Sequence, residues 1–157
     1  MKKLLLILLC LPLLTLAQQT YVPDSSFEAY LELNNMGNGI LNDSNVFTSA
    51  IDTVTSLSVP NSSNIADLTG IEYFTDLTNL RCNNNQLTTL DLSQNTSLIY
   101  LEIYANQLTS LDVSNNTALT HLDCEWNQLT CLNVKNGNNQ NMTGFNAFNN
   151  PNLACIE

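Results

Sequence analysis

Residues 77–87 read LTNLRCNNNQL, and this stretch decides the fold. Its spacing of apolar residues and asparagine returns 21 residues later as LIYLEIYANQL (98–108) and again as LTHLDCEWNQL (119–129). A looser copy spans residues 142–153, and a degenerate first copy begins at Val54. Repetition at a fixed period predicts a solenoid of stacked coils, because one such unit cannot bury its own apolar face.

Each copy combines a short strand with a turn. Alternating apolar residues predict a strand whose two apolar side chains point into the solenoid. An asparagine follows where the chain leaves the strand, and its amide can satisfy backbone groups in the turn and in the next coil. We therefore predict an inward amide ladder formed by Asn85, Asn106, Asn127 and Asn150. The second half of each coil, such as Leu111-x-Val113, predicts an extended or turn-like convex side.

Composition excludes several classes of function. The 157 residues include 14 acidic and 4 basic side chains, a net charge of −10. Such an acidic chain lacks the basic surface that nucleic acid requires, so we predict no nucleic-acid partner. The apolar content of 44% is too high for a disordered chain.

The first 17 residues carry an export signal. Lys2 and Lys3 precede an apolar run over residues 4–16, and Ala17 ends a small-x-small cleavage pattern. The run is too short to span a membrane, so we predict a signal peptide cleaved after Ala17. The remainder keeps Arg81 and Lys135 against 14 acids, a charge of −12. It has no second stretch long enough for a membrane span, so we predict a secreted or cell-surface protein.

Residues 18–53 are predicted to form an N-terminal cap ahead of the repeats, which occupy residues 54–157 as about five coils, the last incomplete. Asp24 or Ser25 is suited to cap a helix in which Phe27, Tyr30 and Leu31 are helically spaced. A terminal element of this kind shields the open apolar end of a solenoid.

A family resemblance adds to this interpretation. The quoted repeats, the start Tyr21-Val-Pro-Asp24 and the run from Asp67 to Glu72 resemble secreted leucine-rich-repeat proteins of the Bacteroidetes, with internalin-like first repeats. The resemblance implies a parallel sheet on the concave face and a non-catalytic exported or surface binding protein. Many such proteins end in a sorting domain. This sequence stops at Glu157 as another coil begins, which predicts an uncapped C-terminal coil and a truncated or unusually short member.

Four cysteines follow the predicted cleavage site. Cys82 and Cys124 occupy inward strand positions two coils apart, beyond disulfide reach, and are interpreted as core residues. Cys131 and Cys155 occupy the same position in adjacent coils. Their spacing is compatible with a disulfide that would staple the C-terminal end, and two free thiols are the alternative.

Side-chain variety is concentrated on the outward positions of the repeated strands. These positions carry aromatic and polar groups, a combination typical of recognition surfaces on solenoids. The alternative is that the aromatic rings merely cover strand edges. The candidate concave-face ligand-binding residues are Tyr100, Glu102, Tyr104, His121, Asp123, Glu125, Trp126, Asn146 and Phe148.

Catalytic and metal functions find little support. The chain has one histidine and no nucleophile or phosphate-binding motif, so we predict no enzyme activity and no cofactor. Glu102 and Asp123 fall side by side on neighbouring strands, where a cation such as Ca²⁺ would relieve their repulsion. The alternative is a solvated acidic patch, and since no known loop spacing supports a site, no metal is predicted.

Two functions remain open. The first is an exported module that binds a protein or glycan through its concave face. The second is a structural envelope protein that self-associates through its uncapped C-terminal coil.

Overall fold

The computed structural model describes residues 17–157, which form a parallel-strand solenoid of about five turns with few helices. This confirms the predicted fold class. The predicted signal peptide lies outside the described residues except for Ala17. No helix within residues 17–157 combines the length and apolar character needed to cross a membrane. In chain order the elements are β1 (Gln19–Tyr21), α1 (Ser25–Leu33), β2 (Asn45–Phe47), α2 (Thr48–Ile51), β3 (Ser56–Ser58), β4 (Asn79–Arg81), β5 (Tyr100–Glu102), β6 (Ser110–Asp112), β7 (His121–Asp123), β8 (Cys131–Asn133), β9 (Gly144–Asn146) and β10 (Cys155–Ile156).

The N-terminal segment pairs two antiparallel strands, β1 and β2, beside helix α1. Asp24 caps the helix, because its Oδ1 accepts hydrogen bonds from the amides of Ser26 at 2.9 Å and Phe27 at 3.0 Å. Its Oδ2 accepts from the amides of Ala66 and Asp67 at 2.8 and 3.1 Å, which joins the helix to the first coils. The helix thus lies where its sequence pattern indicates, and its role as the terminal cap of the solenoid stays a prediction.

Five parallel strands in the order β3-β4-β5-β7-β9 form what we call the front sheet. Leu57, Leu80, Leu101 and Leu122 lie opposite one another at the centres of the first four strands and are buried. Because side chains alternate along a strand, the flanking residues of each strand point outward. The 21-residue period therefore sets both the core and the outward columns.

A second sheet, in the order β10-β8-β6, is built from the second halves of the last coils. In the preceding coil a single 3-10 turn, Ile71–Tyr73, occupies part of the convex side. These short strands and turns agree with the extended or turn-like convex side expected from the sequence.

Cys155 lies opposite Cys131 in the second sheet, with 4.4 Å between their Cα atoms, and the two form a disulfide. It ties the last coil to the one before it. Cys82 and Cys124 are free and buried, and burial raises the pKa of each thiol to about 12. They are therefore neutral core residues.

The predicted ladder asparagines are buried and link successive coils. Asn106 is typical: its Nδ2 donates to the carbonyls of Cys82 at 3.1 Å and Ile103 at 3.0 Å, and its Oδ1 accepts from the amide of Leu87 at 3.1 Å. A second pair, Asn95 and Asn116, is fully buried in the turns that follow β-like segments of the convex side. Asn116 donates to the carbonyls of Leu92 and Asn95. Amide side chains therefore satisfy turn carbonyls on both sides of the core.

Candidate binding face

The outward residues of the front sheet form straight columns. Tyr100 lies opposite Asn79 and His121, while Asp123 lies opposite Glu102 and Asn146. The parallel register thus brings together the candidate residues on β5, β7 and β9. Their side chains fall into two groups that differ in how they are partnered.

The first group, which we call the stacked cluster, consists of Arg81, Tyr100, Glu102 and His121 above Gly144. The rings of Tyr100 and His121 are parallel within 4°, with centroids 4.2 Å apart, and the Arg81 guanidinium carbon lies 4.9 Å from the Tyr100 centroid. A Cβ added at Gly144 would overlap the imidazole of His121. Four strands therefore contribute to one continuous stack, in which the missing side chain of Gly144 makes room for His121.

Polar contacts neutralise the stacked cluster from within. Arg81 Nε lies 3.1 Å from Glu102 Oε2, and the Tyr100 hydroxyl donates to the other oxygen of Glu102. That hydrogen bond to Glu102 is the main cause that raises the pKa of Tyr100, with a smaller contribution from desolvation. Contact with Tyr100, followed by the charge of Glu102, raises the pKa of Arg81. These side chains are already engaged with one another.

The second group, which we call the acidic notch, consists of Asp123, Glu125, Trp126 and Phe148. The Trp126 side chain is 60% exposed and that of Phe148 is 76% exposed. The amide of Trp126 donates to the carbonyl of Phe148 at 3.1 Å, so the two aromatic residues belong to adjacent coils in contact. Within residues 17–157 neither acid has an ion-pair partner. Unlike the stacked cluster, the notch therefore presents unpaired groups to solvent.

The backbone at Trp126 is constrained by the repeat. Asn84, Ala105, Trp126 and Asn149 occupy equivalent turns, and all have positive φ, between 52° and 55°. This left-handed conformation is unfavourable for Ala and Trp by about 1 kcal/mol. Because the same turn recurs four times, the stacking of coils imposes it, and the Trp126 ring projects from a fixed backbone.

A recess of about 440 Å³ adjoins the notch. Trp126, Gln128, Asn149 and Pro151 line it, together with two ladder asparagines. The sequence gave no prediction for Gln128, Asn149 or Pro151, because their Asn-Gln-Leu-type positions repeat in every coil and were interpreted as structural. Only the departure at Pro151 from the usual repeat marks this coil as different.

A larger recess of about 630 Å³ lies away from the front sheet and is lined in part by Asp67, Glu72, Asp91 and Asp112. Two of these carboxylates are already satisfied. The amides of Ser93 and Ser114 donate to Asp91 and Asp112 at 2.9 and 2.8 Å. Hydrogen bonds from these serines lower the pKa of both acids. This recess provides a comparison surface of similar charge.

The columns of acids do not converge on a metal site. Among residues 17–157, the ligand atoms of Glu102, Asp123 and Glu125 form no compact group of three. The compact group that does occur joins Glu157 to Cys131 and Cys155, whose sulfurs are used by the disulfide. Relief of the Glu102 charge comes instead from Arg81.

Comparison with known sequences finds one local similarity. No protein-family model matches the chain. Over 44 residues it is 66% identical to Internalin J of Listeria monocytogenes serotype 4b (strain F2365), a match that covers 28% of this chain and 5% of Internalin J. The chain therefore spans only a small part of that protein.

Comparison with solved structures extends the similarity to nearly the whole chain. The functional domain of InlJ from Listeria monocytogenes, described as including a cysteine ladder, aligns with a TM-score of 0.56 and 28% identity over 90% of this chain and 38% of its own. The internalin InlF from strain 4b F2365 aligns with a TM-score of 0.60 and 24% identity over 87% and 43%. Internalin C2 from that strain gives 0.52 and 22% over 89% and 58%. The last two show the fold alone, and with the local sequence match they support one conclusion: the chain carries internalin-like leucine-rich repeats.

Proposed function

We propose that the chain is a non-catalytic binding module, exported or surface-associated, which recognises a protein or glycan through its concave face. The single observation that carries this proposal is the acidic notch. Trp126 and Phe148 are large, exposed aromatic side chains on the face where repeat proteins present their ligand sites, and they flank unpaired carboxylates. The internalin-like fold supports a protein-binding role in general terms.

The proposal is tested with protein and glycan arrays probed by the purified full chain. Replacing Tyr104, Trp126 and Phe148 together by alanine is expected to weaken any specific binding at least tenfold, as for loss of a hot spot. The matched control replaces Ile40, Leu41 and Tyr73, which are also exposed and apolar but lie outside the front sheet. Retained binding in the first variant, or equal losses in both, would contradict concave-face recognition.

Export is part of the proposal and has a separate test. The apolar run over residues 4–16, with Lys2 and Lys3 before it, supports cleavage after Ala17. The mass of the protein recovered from the medium or cell surface should correspond to a chain starting at Gln18. Recovery of only the uncleaved protein inside cells would contradict this assignment.

Self-association is a second candidate, favoured by the last coil. Phe145 lies opposite the buried Leu122 but is 49% exposed, and Ile156 in the second sheet is also exposed. Sedimentation over a range of concentrations should then show a dimer that Phe145→Ser abolishes. A monomer at all concentrations would contradict this alternative.

A further inference from the structure

The charge inventory of the described residues leaves the notch without a cation. Residues 17–157 contain two basic side chains besides His121. Arg81 is paired with Glu102 at 3.1 Å, and Lys135 lies 3.9 Å from Glu157. Asp123 and Glu125 are therefore left with no positive side chain from the chain itself, on a protein that carries a large negative charge.

Hydrogen bonding within the notch leaves carboxylate oxygens free. Asp123 Oδ1 accepts from the amide of Glu125 at 3.2 Å, so this aspartate is oriented by the turn. Its second oxygen and both oxygens of Glu125 accept no hydrogen bond from residues 17–157. Three acceptor atoms on adjacent positions of one turn can thus be offered to a ligand with N–H donors.

Apolar surface borders these acceptors on one side. Trp126 follows Glu125 directly, and its ring lines the recess that ends at Pro151. Phe148 is exposed on the next coil. A lysine or arginine side chain combines an apolar stem with a cationic head, so its stem can pack on the rings while its head meets the carboxylates.

We propose that the partner is a protein whose docking segment presents lysine or arginine beside apolar residues, and that its basic side chain occupies the acidic notch. This inference rests on the proposed concave-face function and specifies the chemistry of the partner. Charge complementarity selects this occupant: an acidic segment would be repelled, and a neutral glycan would leave the carboxylates unpaired. The stacked cluster cannot serve the same purpose, because its one carboxylate is already paired with Arg81.

The chain contains a single tryptophan, Trp126, so its intrinsic fluorescence reports binding at the notch directly. The probes are three twelve-residue peptides in which alanine and leucine alternate with lysine, glutamine or glutamate, and a neutral hexasaccharide of glucose. The lysine peptide should change the fluorescence in a saturable manner, and the other probes should not.

Two double variants separate the notch from general charge. Asp123→Asn with Glu125→Gln should weaken the lysine peptide at least about tenfold, since it removes both carboxylates that meet the cation. Asp91→Asn with Asp112→Asn removes the same charge from the larger recess and keeps the oxygen that accepts the serine amides. It should change the affinity by less than about twofold, because exposed charges at a distance are screened.

Several results would overturn the inference. These are no saturable binding of the lysine peptide, equal binding of the glutamine peptide, equal losses in the two double variants, or binding of the hexasaccharide that is insensitive to the notch substitutions. Failure of the proposed function looks different. If an array partner depends on Trp126 and Phe148 but is unaffected by the Asp123 and Glu125 changes, the concave-face function stands and the basic partner is wrong.

Discussion

Two halves of one sheet face use the same backbone for different ends. In the stacked cluster Arg81, Tyr100 and His121 contact one another, and Arg81 pairs with Glu102. In the acidic notch the aromatic rings are exposed and the acids have no ion-pair partner among residues 17–157. Because the repeat register is identical in both halves, the difference comes only from which residues occupy the outward columns. A binding surface on a solenoid therefore lies where the columns fail to satisfy themselves.

The largest expected effect breaks both halves at once. Asn106 donates to backbone carbonyls of two coils and accepts from Leu87. Asn106→Ala should reduce the free energy of unfolding by about 3 kcal/mol, because several buried backbone groups lose their partner. Urea denaturation measures the loss. Asn115→Ala, at an exposed asparagine in the next turn, should cost less than about 0.5 kcal/mol. Similar small losses in both variants would contradict a structural ladder.

The repeat period made the sheet predictable but not the partners of its side chains. The 21-residue spacing aligned Tyr100 with His121 and Glu102 with Asp123, because parallel strands of equal coils must pair in register. It also placed Cys131 opposite Cys155. Local sequence specified these features since one unit is copied.

What escaped prediction depends on rotamers and on distant segments. The ring stack needs the empty space above Gly144, which was noted in the column only as a residue without a side chain. The left-handed turn at Trp126 carries no sequence signal of its own, since Asn marks such turns and Trp does not. Pairing of β1 with β2 joins segments about 26 residues apart, and the short strand β1 lacks an alternating pattern.

The next prediction disturbs the stacked half alone. Gly144→Ala should push the His121 ring off Tyr100, because the added Cβ overlaps it. The expected cost is about 1 kcal/mol, the contribution of a stacked ring pair. Chemical unfolding measures this cost, and the NMR shifts of the imidazole protons should move toward those of a free ring. Emission from Trp126 should not change.

A double-mutant cycle gives the control for this prediction. In a His121→Ala background the space is already empty, so Gly144→Ala should cost little. An equal cost in both backgrounds would show that the effect comes from the backbone and not from the stack.

The smallest expected effect concerns the ion pair of the stacked cluster. Arg81 and Glu102 are partly exposed, so Arg81→Met should lower the free energy of unfolding by less than about 1 kcal/mol. The loss should shrink further in about 1 M NaCl, where exposed charges are screened. Unfolding at low and high salt measures both values. A loss above about 2 kcal/mol that salt does not reduce would mean that Arg81 supports the fold in another way.

The central claim is that the acidic notch binds the partner and the stacked cluster does not. Its most direct test is calorimetric titration of the lysine-containing peptide into two variants, Trp126→Ala and His121→Ala. We predict that Trp126→Ala weakens binding more than about tenfold, as for a hot-spot aromatic, while His121→Ala stays within about twofold of the parent. Equal affinities in the two variants, or a larger loss from His121→Ala, would contradict the claim.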